Sequence, residues 1–148
     1  MKLFAPTSRP ALLSSLWIVL MFNYLYCDVL GLYDPEHLVA LQEGTMGGLP
    51  FTPEALVAAG VLMQIPIAMV LLSRVLRRGL ARGVNIAAAT AMGAVQVSTL
   101  FFGTPPTPVY IFFSTIEIAL AITIVAVALT WPRASEQVSH ENHAVAAA

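Results

Sequence analysis

The chain has 148 residues, of which 58% are hydrophobic and 10% are charged, and its formal net charge at pH 7 is −1. A soluble domain of average composition has about 25% charged residues, so this composition predicts a membrane protein with no nucleic-acid partner. The single cysteine, Cys27, excludes an internal disulfide and a dithiol redox mechanism. The lipid bilayer is therefore the main expected partner.

Four long apolar segments account for most of the chain. They cover residues 12–32, 55–72, 84–102 and 109–131. Each can cross ~30 Å of hydrocarbon as a helix, which takes about 20 residues. None alternates between apolar and polar residues as a strand of a membrane β-barrel does. The first is too long for a signal peptide and lacks a small-residue cleavage site, so we expect it to be retained. We predict an all-α fold, a transmembrane four-helix bundle over residues 1–131, followed by a disordered cytoplasmic tail, residues 132–148.

The positions of the basic residues predict how the bundle is oriented. Threading the chain four times across the membrane brings all of them to one face. They are Lys2, Arg9, Arg74, Arg77, Arg78, Arg82 and Arg133. The positive-inside rule makes that face cytoplasmic, so both termini are expected inside the cell.

The loop between the first two helices is the longest extramembrane segment in this prediction. Residues 33–54 carry four acidic side chains and no basic one. Asp34 followed by a proline predicts the start of a short surface helix, and residues 46–50 predict a turn. Thr-Pro steps at 52–53 and 107–108 are typical of helix starts, because the hydroxyl caps the helix and proline suits its first position. Gly79 is predicted to cap the end of the second helix.

Asp28 and Glu117 are the only charged side chains inside the four apolar segments. A carboxylate in hydrocarbon costs several kcal/mol unless it is protonated, paired or solvated. The helical rise places Asp28 ~6 Å and Glu117 ~12 Å from the outer ends of their helices. Other polar side chains share this outer half of the membrane: Asn23, Tyr24, Gln64, Gln96 and Ser114. We predict that this polar layer faces the interior, that the two acids approach each other, and that at least one is neutral at pH 7.

Small residues beside the polar ones suggest where helices approach closely. Gly60, Gln64 and Ala68 form one stripe on the second helix. A second stripe, on the third helix, consists of Asn85, Ala89, Met92 and Gln96. Small residues at this spacing allow membrane helices to pack closely. The sequence leaves open whether the protein forms a homo-oligomer or binds another membrane protein.

The polar layer supports several functional hypotheses. In the leading one it is a site open to the outer side that binds a proton, a cation or a polar solute, which makes the protein transport-related. Alternatively the layer only joins helices, since such hydrogen bonds contribute about 0.6 kcal/mol each. The protein could instead be a non-catalytic accessory subunit of a larger membrane complex, or a membrane enzyme acting on a lipid or quinone. The spans lack histidine, a dithiol and metal-ligand spacing, so we predict no catalytic residue, metal or cofactor.

Two stretches of the chain resemble a known family. Residues 15–19 and 23–32 with Asp34-Pro35 are similar to the opening of small bacterial four-helix membrane proteins catalogued only as a domain of unknown function. Residues 110–118, with their Ile-Glu-Ile step, are similar to the family's last helix. The resemblance implies four membrane helices that carry Asp28 and Glu117, in a bacterial inner membrane, and it implies no activity. A looser likeness to the DoxX-like family concerns the architecture alone.

Overall fold

The computed structural model describes residues 8–46 and 48–131, which form helices and one small hairpin. In chain order the elements are α1 (Arg9–Gly31), α2 (Pro35–Gln42), β1 (Thr45–Met46), β2 (Leu49–Pro50), α3 (Pro53–Val75), α4 (Arg78–Thr99) and α5 (Pro108–Leu129). Three of the helices, α1, α3 and α5, are long and apolar enough to cross a membrane. The prediction of a disordered tail over residues 132–148 lies outside the described residues.

Three helices begin with the caps that the sequence predicts. The side chain of Thr52 accepts a hydrogen bond from the N–H of Ala55 at 3.2 Å. Thr107 accepts one from the N–H of Tyr110 at the same distance. Asp34 accepts bonds from the first N–H groups of α2. Each capping oxygen satisfies an N–H group that has no partner within its helix, so these helix starts are specified locally.

The start of α4 differs from the prediction. The helix begins at Arg78 rather than at residue 84, so Gly79 lies inside α4 and does not cap α3. The reason is that hydropathy detects only apolar residues, whereas arginine is a good helix former. The Arg82 side chain donates to the carbonyls of Ala128 and Leu129 at 3.1 and 3.2 Å. The first turns of α4 therefore place a cation at the negative end of α5.

The four long helices pack in a ring. α1 and α4 each contact both α3 and α5. We call the end that carries Arg9, Arg74, Arg77, Arg78 and Arg82 the basic end. The acidic end is the opposite one, with α2 and the hairpin. The apolar core runs from the basic end to about the middle of the helices and consists of Leu13, Trp17, Leu20, Met69, Ala81, Ala89, Met92, Ile124, Ala128 and Trp131.

A buried polar network joins three helices within this core. Asn85 on α4 accepts a hydrogen bond from Trp17 Nε1 on α1 at 2.8 Å. The hydroxyl of Ser73 on α3 lies 3.0 Å from the same oxygen, and the Asn85 amide donates to the carbonyl of Ala81. Each of these polar groups has a partner, as is normal for buried polar side chains.

Candidate functional site

Toward the acidic end the interior changes from apolar to polar. Beyond Met92, the buried side chains of the described chain are those of Cys27, Gln96, Ser114 and Glu117. Along α3, none of the residues from 53 to 65 is buried. The polar interior is therefore enclosed by α1, α4 and α5, and α3 leaves it less covered.

Glu117 is the most unusual residue in this region. Its side chain is 2% exposed, and its Oε1 atom is buried without a hydrogen-bond partner among the residues that the structure describes. Leaving a buried polar atom unpaired costs roughly 1–3 kcal/mol, and more when the group is charged. The packing of the described residues thus leaves this carboxyl oxygen unsatisfied.

The neighbours of Glu117 on α4 and α5 are neutral polar groups. The Gln96 amide donates a hydrogen bond to the Ser114 hydroxyl at 2.8 Å, and both side chains are buried. Ser114 lies three residues before Glu117, on the same side of α5. One turn toward the basic end, α4 and α5 approach closely, because a Cβ atom added at Gly93 would lie 3.3 Å from that of Ala121. The site is closed on that side by helix packing.

The α1 side of the site contributes Tyr24, Cys27 and Asp28. All three lie close enough to Glu117 to interact with it electrostatically. Cys27 is buried and Tyr24 is half-buried, whereas Asp28 is exposed in the last turns of α1. The structure thus brings the two acids near each other, one inside and one at the surface.

The exposed acid lies next to the short helix α2. Asp28 interacts electrostatically with His37. The His37 ring packs against the end of α1, with its Cδ2 atom 3.5 Å from the position of a Cβ atom on Gly31. The end of α1 beside the site therefore carries both Asp28 and the His37 ring.

Two residues of the predicted polar layer do not join the site. Gln64 is exposed on α3, together with Gly60 and Ala68, so the expected inward stripe faces outward instead. The inward face of α3 is set by Pro66, Met69 and Ser73, and Gln64 lies ~160° around the helix from Pro66. Asn23 is half-buried, and its amide donates to the carbonyl of Val19 on its own helix at 2.9 Å.

One residue at the acidic end was missed as a member of the site. The Tyr110 hydroxyl donates to Thr99 Oγ1 at 2.6 Å and so ties α5 to the end of α4. Tyr110 also interacts electrostatically with Tyr24 on α1. In the sequence Tyr110 is an aromatic residue just after the Thr-Pro helix start at 107–108, and that position does not distinguish an inward from an outward ring.

The donor set restricts the chemistry of the site. Within residues 8–46 and 48–131 there is no group of three or more His, Cys, Asp and Glu side chains that could hold a metal ion. Glu117 instead has one carboxyl group among amide, hydroxyl and thiol neighbours. Such an arrangement offers fewer anionic ligands than a divalent metal ion such as Ca²⁺ usually takes.

Comparisons with known proteins identify a family for this chain but no activity. No curated protein and no solved structure matches the chain. The comparisons do not show the likeness to the DoxX-like family. They do confirm the resemblance to a domain of unknown function: the family model described as "Family of unknown function (DUF6326)" matches residues 1–138, and the chain belongs to that family.

Proposed function

We propose that this protein is a transport-related protein of a bacterial inner membrane that binds and releases a proton at Glu117. In this proposal four helices cross the membrane and both termini lie in the cytoplasm. The site opens to the outer side, through the acidic end.

The four-helix arrangement is supported by the packing of α4. This helix has 22 residues, like α5, and contacts α3 and α5, which are both apolar enough to span a membrane. Its two amide side chains face inward: Asn85 and Gln96 are buried, together with Ala81, Ala89 and Met92. A helix that hides its polar face among spanning helices can cross with them. The arginines of the basic end then favour the cytoplasmic side.

The observation that carries the proton-binding proposal is the unpaired Oε1 atom of Glu117. This atom has almost no accessible surface, so no water-sized space adjoins it. A proton needs no such space, and its binding removes the charge that hydrocarbon disfavours. A metal cation would need several further oxygen ligands. The proton therefore fits this closed conformation best.

The contrast with Asn85 argues against a purely structural role for Glu117. Where the fold uses a buried polar group to join helices, at Asn85, the partners are within hydrogen-bond distance. Glu117 is almost as buried, yet its Oε1 atom forms no hydrogen bond with any of the described residues. A group that costs stability without forming a contact is the expected signature of a functional residue.

Proton flux in reconstituted vesicles tests the proposal. Vesicles loaded with a pH-sensitive dye should respond to an imposed pH gradient faster with the protein than without it. Glu117→Gln should lower the rate to that of empty vesicles. Glu54→Gln is the matched control, because Glu54 is an exposed acid at the start of α3, and it should leave the rate unchanged. Equal flux in the wild type and Glu117→Gln would refute the proposal.

Infrared spectroscopy provides a readout that needs no substrate. A buried protonated carboxylic acid has a carbonyl band distinct from that of a carboxylate. We expect this band in the wild type at neutral pH, its loss in Glu117→Gln, and its retention in Glu54→Gln. A band that persists in Glu117→Gln would assign the proton to another group.

A further inference from the structure

Gln64 is a polar side chain in an unfavourable place. It is the middle residue of α3 (Pro53–Val75), a candidate membrane span with a mean hydropathy of 2.3. It therefore lies ~17 Å from either end of the helix, near the bilayer midplane. Its side chain is exposed on the outer surface and forms no hydrogen bond with any residue that the structure describes. In a membrane this amide faces hydrocarbon, which offers it no partner.

No residue in the described part of the chain satisfies this amide. α3 contacts α1 and α4 through its other face, where Pro66, Met69 and Ser73 are buried. The residues around Gln64 on its own face are apolar and exposed, with Val57, Val61 and Leu71 each more than 60% exposed. An amide without a hydrogen bond in an apolar medium carries a free-energy cost. A polar partner from another polypeptide would remove that cost.

We infer that this face of α3 is the interface with a second copy of the chain, joined by the two Gln64 side chains. Copies inserted in the same orientation are related by a two-fold axis along the membrane normal, so residues at equal depth meet. A glutamine amide both donates and accepts, and two of them form a reciprocal pair of hydrogen bonds. Two Gln64 side chains can therefore satisfy each other's hydrogen-bonding groups, so a second copy of the chain is a partner of matching chemistry.

The residues one turn on either side of Gln64 are small enough to let the α3 helices of two copies approach each other. Gly60 and Ala68 each lie ~40° around the helix from it, and a Cβ atom added at Gly60 would meet nothing within 4 Å. Small residues flanking a polar one let two helix backbones come close enough for interhelical hydrogen bonds. This interface does not depend on the proton-binding proposal, because Glu117 lies inside, on α5.

Cysteine cross-linking in membranes tests the geometry. In a Cys27→Ala background, Ala68→Cys places a thiol beside the inferred axis. Ala58→Cys is the matched control, since Ala58 is also exposed on α3 but lies ~120° around the helix from Gln64. Under oxidation we expect a disulfide-linked dimer for Ala68→Cys and monomer for Ala58→Cys. Equal cross-linking of the two variants, or none with Ala68→Cys, would overturn the inference.

Energy transfer between labelled copies in vesicles tests the role of the amide. Gln64→Leu should raise the Kd of the dimer by about tenfold, the effect of losing two interhelical hydrogen bonds of average strength. Glu117→Gln should leave this Kd unchanged, which keeps the dimer test separate from the flux test. An unchanged Kd in Gln64→Leu would refute the role of Gln64.

Discussion

Glu117 and Asn85 form a matched pair whose replacement by apolar residues should change stability in opposite directions. Both are fully or almost fully buried, and Asn85→Leu and Glu117→Met each introduce an apolar side chain of similar shape. In Asn85→Leu, Trp17 Nε1 loses its acceptor while its side chain stays 0% exposed. An orphaned buried donor costs about 1–3 kcal/mol. We expect the free energy of unfolding to fall by about that amount.

Glu117→Met should have the opposite effect. The Oε1 atom has no hydrogen bond to lose among the described residues, so the substitution removes a desolvated polar group and leaves no donor behind. An unbranched methionine can follow the path of the glutamate chain. Removing an unsatisfied group recovers its desolvation cost, about 1–3 kcal/mol. We therefore expect the free energy of unfolding to rise, at the expense of proton binding.

Unfolding in mixed micelles with an increasing fraction of denaturing detergent measures both changes, with helicity from circular dichroism as the signal. The two variants should differ from each other by about 2–6 kcal/mol, the sum of the two effects. If Glu117→Met instead lowers stability as much as Asn85→Leu does, Glu117 holds helices together. The argument from its unpaired oxygen would then be wrong.

Two further predictions follow from the packing of α4 against α5. Gly93→Val should destabilise the protein, because even a Cβ atom at this position would lie 3.3 Å from the Cβ atom of Ala121. Gly83→Ala should stabilise the protein by about 0.5–1 kcal/mol, because Gly83 is at an open helical position. Thermal unfolding of both variants in detergent checks the sign. Arg82→Gln should cost about 1 kcal/mol through the two carbonyls that it caps at the end of α5. Arg74 is exposed, so Arg74→Gln should lower the free energy of unfolding by less than about 0.5 kcal/mol. A larger loss of stability for Arg74→Gln than for Arg82→Gln would contradict the capping argument.

The helices could be predicted from the sequence because long apolar runs are unambiguous. The predicted segments 12–32, 55–72 and 109–131 fall within a few residues of α1, α3 and α5. The exception, the start of α4, is instructive. Its first turns carry Arg82, whose side chain donates to carbonyls at the end of α5, and a contact between distant parts of the chain leaves no trace in local hydropathy.

The inward direction of the polar side chains was predictable on α4 and α5 but not on α3. On α5 Ser114 and Glu117 are buried, and on α4 the two amides stand out in a stripe in which Asn85, Ala89, Met92 and Gln96 are all buried. α3 is apolar all round, so its sequence has no dominant face. Which side faces inward is decided by the packing of Met69 and Ser73, and Gln64 consequently points outward.

The two ends of the protein differ in how well their interiors are packed. The basic end has the apolar core, the satisfied network around Asn85 and the arginine caps on α5. The acidic end has no buried residue along the first half of α3 and holds a buried carboxyl group with an unpaired oxygen. Regions with few buried apolar contacts open at lower free energy than the core. Under the proposed function, the acidic end opens to admit a proton to Glu117 while the basic end keeps the helices together. Weakening the core at Asn85 should affect folding, whereas changing Glu117 should affect proton exchange.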